Sequence, residues 1–264
     1  MTVNPDSISA VPAPVTGAAV TPEAIAEALL SKIVENPTRI LALFDDPRVV
    51  AMILSKISTA QYMLDKDYIR NVVHFPARDS MHLWLLKLPD LPPGLCFEFG
   101  VAAAESLRHF AFHAPERQWF GFDSFEGLPE AWHGHPAGTY TQHGKLPEVP
   151  SNVTLVPGWF DKSVPEFLKT HYAMVKDQGI AILHLDADIY SATKTVLNEM
   201  GRFLKNGSVI ICDEFWGYPT WEHHEAKAIE EFVAVNPHIT LKPLAYVPRS
   251  VQFAFRVEMK SEGG

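Results

Sequence analysis

Two pairs of acidic residues each follow directly on an apolar run. The segment "ILHLDADIY" carries Asp186 and Asp188, and "SVIICDEFWG" carries Asp213 and Glu214. If both runs are neighbouring strands, these carboxylates meet in one cleft. Clustered carboxylates repel, raise one another's pKa, and cost on the order of several kcal/mol unless a cation joins them. Oxygen-only ligands select a hard ion, Mg²⁺ ahead of zinc, with Mn²⁺ or Ca²⁺ as alternatives. A cation there would acidify a substrate hydroxyl and fix its position, with Asp186 in the reacting centre and Asp188 as the base. Helix capping by Asp188, Ser191 or Asp213 is the competing explanation. It accounts for one acid per strand end, but not for two acids at two ends.

The elements that must position these acids are legible from Gly94 onward. Short apolar runs such as "GLCFEFG", "QWFGFDSF", "NVTLVPG", "GIAILHLDAD" and "SVIICDEF" alternate with helical stretches. This alternation predicts an α/β, three-layer, Rossmann-like sandwich around a mostly parallel sheet. Two closing strands, near "TLKPLAYV" and "SVQFAFRVEM", predict a hairpin at the sheet edge. Ligands in such sheets bind beyond the carboxyl ends of the strands. There the sequence places Glu98 and Gly100, Asp123 and Ser124, Gly158 and Trp159, and the two acidic pairs.

The N-terminal part reads differently. Residues 1–20 form a Pro-, Ala- and Val-rich tail. Residues 21–89 form a helical extension, with helices in "TPEAIAEALLSKIVENP", in the stretch from Thr38 to Val73 with a break near Asp46 and Pro47, and in "RDSMHLWLLKL". Its expected roles are packing, a lid and a subunit contact in a homodimer. Residues 90–264 form the chemical domain. The net charge of −9, with no basic run, argues against nucleic acid and anionic membranes as partners. No apolar stretch reaches the roughly 20 residues of a membrane span. The two cysteines, Cys96 and Cys212, sit in apolar runs. They read as buried thiols of a cytoplasmic protein.

The first strand end has one glycine, Gly100, where a dinucleotide fingerprint needs three, which disfavours NAD and FAD. Asp123 is placed to accept hydrogen bonds from ribose hydroxyls. A ribosylated cofactor with a cationic amine and no phosphate is S-adenosylmethionine, and the chemistry is then methyl transfer to a small-molecule hydroxyl acceptor. The loop "AWHGHPAGTYTQHG", with His133, His135 and His143, reads as a lid rather than a zinc site. His184 is expected beneath the acids, and Trp216, Tyr218 and Trp221 form either a sugar-facing wall or core. A nucleotide-dependent oxidoreductase and a catalytically inactive binding or assembly protein are the other readings.

At "FEFGVAAAES", "GFDSFEGLP", "LVPGWFDKSVPEF", "LHLDADIYSATKTVLNEM" and "GSVIICDEF" the chain resembles the macrocin O-methyltransferase family, metal-dependent enzymes that methylate hydroxyls of antibiotic sugars. The resemblance covers roughly the last two-thirds of the chain. It implies a seven-stranded class I methyltransferase core with the last strand reversed. It also implies S-adenosylmethionine near Glu98, Gly100, Ser106, Asp123, Ser124, Gly158, Trp159 and Asp186. Metal ligation is implied at Asp186, Asp213 and Glu214. The chain departs from the family at Ala104, where a second glycine is usual, and at Glu214, where a second aspartate is usual.

Overall fold

Asp46 and Pro47 fall at the expected break and open a helix. The Asp46 carboxylate accepts from the Arg48 amide at 2.9 Å and Pro47 occupies the first turn, which opens α1 (Pro47–Asp65). The computed structural model describes residues 44–68 and 72–260, with positions 27, 31 and 42 besides. The expected tail and, apart from Glu27 and Ser31, the expected helix in "TPEAIAEALLSKIVENP" lie outside the described residues. The helical pattern expected to continue to Val73 gives way to a two-residue strand, β1 (Val73–His74). Then follow α2 (Arg78–Leu86), β2 (Leu95–Phe99), α3 (Glu105–His113), β3 (Trp119–Asp123), β4 (Val153–Pro157), α4 (Phe160–Gln178), β5 (Ile180–Leu185), α5 (Tyr190–Met200), β6 (Leu204–Cys212), α6 (Glu225–Val235), β7 (Ile239–Val247) and β8 (Gln252–Met259).

The sheet order is β1-β7-β8-β6-β5-β2-β3-β4, eight strands where the resemblance implied seven. Only β8 runs against its neighbours, antiparallel to both β6 and β7, so the final strand is reversed as expected. The hairpin of β7 and β8 forms too, but β1 pairs with β7 and takes the edge. Central strands β2 and β5 are buried at every residue, which is why they read as unbroken apolar runs. One face of the sheet packs on α4, α5 and α6 through Phe167, Val196 and Phe232. The other packs on α2 and α3 through Met81, Leu85, Leu107 and Phe110. Cys96 and Cys212 are free and buried. No helix among the described residues is long and apolar enough to cross a membrane.

Residues 47–86 are not an appendage. Met63, Phe75, Met81 and Leu85 are at most 1% exposed, within the same two cores as the strands. Thr59 accepts from the Gly217 amide at 2.9 Å and Ser58 from the Trp221 indole at 3.0 Å, tying α1 to the loop after β6. A boundary near residue 89 therefore cuts through a core instead of between units. Deleting residues 1–89 should give insoluble or molten protein without a cooperative thermal transition, because both faces of the sheet lose buried side chains. A sharp melt of that fragment by circular dichroism would show that the first helices are passive.

Candidate active site

β2 lies between β3 and β5, and the strand order reverses there, the position at which such sheets open a crevice. A cavity of about 760 Å³ occupies it, within the roughly 300–1,000 Å³ range of small-molecule sites. In-register parallel pairing aligns the strand ends: Phe99 with Leu185, and Leu185 with Cys212. Asp186 and Asp213 thus follow adjacent strands, as the sequence required. Gly100, Ser106, Asp123, Ser124, Trp159, Asp186, Asp188, Asp213 and Glu214 all line the cavity. Glu98 and Gly158, also expected at the cofactor, do not.

The loop after β2 is held by backbone contact. Gly100 has φ +95°, and a Cβ there would lie 1.6 Å from the Asp186 carbonyl oxygen, so no side chain fits. Asp123 organises the same loop from β3. Its Oδ2 accepts from the amides of Val101 (2.8 Å) and Ala102 (2.7 Å), and its Oδ1 from that of Phe125 (2.6 Å). The Ala104 amide donates to the Val101 carbonyl at 2.7 Å. Ala104 sits in the left-handed region (φ 59°) at the start of α3, which explains why glycine is usual there. Its methyl is fully buried in the α2–α3 core and does not line the cavity.

Beneath the cavity floor, Glu98, His184 and Asp213 form a buried chain. His184 Nδ1 lies 2.9 Å from Glu98 Oε2, and its Nε2 lies 3.3 Å from Asp213 Oδ1. Ser106 donates to the other Glu98 oxygen at 3.0 Å. Glu98 is thus turned away from the cofactor cavity and reaches it only through Ser106. Burial alone would lower the His184 pKa, but the hydrogen bonds to Asp213 and Glu98 win and hold it well above the usual histidine value. Burial would likewise raise Asp213, and His184 and Gln252 overcome it and keep the carboxyl low. Gln252 donates to the same Asp213 oxygen.

Asp186, Asp188 and Glu214 gain less: His184 tempers Asp186 and Glu214 tempers Asp188 without offsetting burial. One oxygen from each lies within 4.8 Å of the others. Burial, then the charge of Asp213, push Asp186 and Glu214 well above the carboxylate range and Asp188 to about 7. Glu214 Oε2 is buried with no partner. The carboxylate triplet therefore contains Asp188 in the place expected for Asp213, whose Oδ1 is engaged by His184 and Gln252; Asp213 still approaches Asp186 in a second group with His184. Asp188, at φ 60°, owes its position to the bend after β5, which periodicity does not reveal. None of the caps of the competing explanation forms: α5 has Ile189 and α6 has His224 at the N-cap, neither with a side-chain bond.

The remaining residues sort clearly. Phe122 and Phe125 are buried packing groups. Trp221 and Tyr218 are core, and Trp216 packs on Tyr246 and Phe253. In the loop after β3, Trp132 stacks on His135 and meets Tyr218, while His133 also faces Tyr218. Tyr140 reaches the cavity lining. Sequence reading missed Gln252, 39 residues from Asp213, because its β8 alternation looks like any other inward position.

Residues 97–215 match a family described as a methyltransferase domain, a span that contains the tips of β2 to β6. Among solved structures, the calicheamicin methyltransferase CalS11 is similar at a TM-score of 0.50, with 22% identity over 89% of this chain and 93% of that one. The O-methyltransferase NovP is similar at a TM-score of 0.51, with 17% identity over 69% of this chain and 80% of that one. No curated protein matches the sequence. The matched segment and the fold agree on a methyltransferase-like architecture. The similarity to the two solved enzymes is one of fold, in agreement with the resemblance read from the motifs.

Two outcomes follow from the geometry. Asp123→Ala strips the acceptor from three amides at once, so it should cost about 1–3 kcal/mol of stability in addition to weakening the cofactor. Calorimetry and a denaturant melt on the same variant separate the two losses; unchanged stability would mean that the loop does not depend on Asp123. The second outcome concerns pH. Asp188 binds its proton more tightly folded than unfolded, so the stability of chelator-treated protein should fall as pH rises from about 4 through 7. Asp186→Asn should flatten that slope and raise the melting temperature above pH 7. A melting temperature that climbs over this interval would contradict the assignment.

Proposed function

We propose that the protein is an S-adenosylmethionine-dependent O-methyltransferase, assisted by a hard divalent cation such as Mg²⁺, acting on a hydroxyl of a sugar or another small natural product. The observation that carries this reading is the convergence of Asp186, Asp188 and Glu214 on the same cavity as the Gly100 loop and Asp123. The donor set suits such an ion: oxygen only, mutually raised in pKa, with Glu214 Oε2 buried and without a partner. Asp186, Asp188 and Glu214 would hold it, with Asp213 adjoining. When bound, the cation supplies Lewis acidity that lowers the pKa of an acceptor hydroxyl, and S-adenosylmethionine supplies an electrophilic methyl group.

The protein's own groups do the positioning. The Gly100 loop borders the cavity where the cofactor chain would lie, and Ser106 and Ser124 offer hydroxyls at its edge. Asp123 keeps one unused lone pair, on Oδ1, for a ribose hydroxyl while it fixes the loop. Trp159, 38% exposed at the wall, offers a ring face for the adenine, and Gly158 makes the turn that presents it. Glu98 acts as a positioning residue through Ser106 and His184. Asp188, expected as the base, belongs to the ligand triplet, so the proton leaves to a neighbouring carboxylate or to solvent. No histidine or lysine is among the described lining residues. The acidic lining, with Arg78 its only basic side chain, suits a cationic sulfonium.

The dinucleotide reading fares worse. A pyrophosphate needs free loop amides, and those of Val101, Ala102 and Ala104 are spent on Asp123 and Val101. The loop with Trp132, His135 and Tyr140 is the proposed acceptor-facing lid. Leu54, Ile57 and Leu64, about 60% exposed on α1, suit a homodimer contact. The free cysteines suit a reducing cytoplasm.

The test combines titration calorimetry of S-adenosylmethionine with methyl transfer to a panel of macrolide glycosides, deoxysugars and phenols. Cofactor binding should survive chelator, methyl transfer should stop in chelator and return with Mg²⁺, and Asp186→Asn should lower turnover on the order of 100-fold. Turnover untouched by chelator would remove the cation from the mechanism. Cofactor binding without transfer to any acceptor, with Mg²⁺ present, would favour the inactive binding protein.

A further inference from the structure

A second cluster of metal-binding side chains lies outside the cavity, where α2 packs on α3. Asp79 and His82 stand three residues apart on α2 and so share one face. His109 meets them from α3, its ring centroid 6.1 Å from that of His82. One donor atom from each of the three lies within 4.8 Å of the others.

The hydrogen bonds around His82 decide which nitrogen is available. The Gln252 amide gives its NH₂ to Asp213 Oδ1, which leaves its carbonyl oxygen facing His82. The His82 Nε2 lies 3.2 Å from that carbonyl oxygen and must carry the proton that donates to it. Nδ1 is then left with a lone pair. It is buried, has no partner, and belongs to a side chain with 0% exposure. His109 Nε2 is likewise buried without a partner. Two inward-facing imidazole nitrogens lacking hydrogen bonds are costly unless something binds them. A histidine whose other ring nitrogen donates to a protein carbonyl is the usual arrangement of a metal ligand.

Charge nearby is mixed. Arg78 lies close but pairs with Glu105 at 3.7 Å. Asp79 supplies a carboxylate, and His184, edge-on to His82, spends both ring nitrogens on Glu98 and Asp213. Two imidazoles and one carboxylate match a borderline ion and not Mg²⁺.

We propose that Asp79, His82 and His109 form a second divalent-metal site, selective for Zn²⁺ or a neighbouring transition ion, that clips α2 to α3 behind the Gln252–Asp213 pair. The site stands on its own residues and does not depend on the methyltransferase reading or on the carboxylate triplet. The test uses the full chain with Mg²⁺ in large excess, so that hard-ion sites are filled, and titrates Zn²⁺ against a chromophoric chelator. One equivalent of Zn²⁺ should bind and raise the melting temperature, and Co²⁺ at the same site should give the visible absorption of a low-coordinate nitrogen-ligated ion. His109→Ala and Asp79→Asn, at positions exposed enough for the fold to survive, should each weaken Zn²⁺ by about tenfold or more and remove the stabilisation. No Zn²⁺ uptake by the parent protein under excess Mg²⁺ would overturn the proposal. So would uptake that both variants match.

Discussion

The site is governed by the cost of burying negative charge at the ends of parallel strands. Five carboxylates, Glu98, Asp186, Asp188, Asp213 and Glu214, follow or end β2, β5 and β6, and unpaired burial of any one would cost on the order of several kcal/mol. The protein relieves two of them with a single imidazole: His184 bridges Glu98 and Asp213 with no exposure to solvent. Gln252 and Ser106 complete the hydrogen bonding. Nothing comparable reaches Asp186, Asp188 and Glu214, and Arg78, the one basic group among the described lining residues, is directed to Glu105. The fold thus separates a neutralised foundation from an unneutralised triplet facing the cavity.

A second constraint is steric. Gly100 and Asp186 pass so closely that β2 and β5 can end side by side only if position 100 has no side chain. That contact places the loop after β2 against the first acid of β5. Asp123 then gathers the loop's amides from the other side. One carboxylate therefore shapes the loop and faces the cavity.

The helices before β2 take part in both. α1 carries hydrogen-bonding groups to the segment after β6, and α2 supplies His82, which meets Gln252 behind the site. Aromatic packing reinforces the contact: Tyr62 meets Phe215 and Trp221 edge-on. Their burial explains why a long helical lead-in without chemical motifs belongs to the same folded unit as the strands.

The order of strands and helices after Gly94, the adjacency of the two acidic pairs and the single-glycine loop were legible in the sequence, because each is a local pattern: an apolar run, a breaker, an acid at the tip. β1 was not legible, since two residues carry no periodicity and only their pairing with β7 makes them a strand. Nor was the assignment of partners among the acids. Glu98, Asp123 and Asp213 look alike in the sequence as acids at strand tips, yet one is buried under the floor, one holds a loop and one is anchored by His184 and Gln252. Side-chain direction at a strand end depends on which neighbour lies across the sheet and which donors it brings. Those donors come from positions up to 86 residues away, as with His184 and Glu98, so only the tertiary structure could decide which carboxylates remained unpaired.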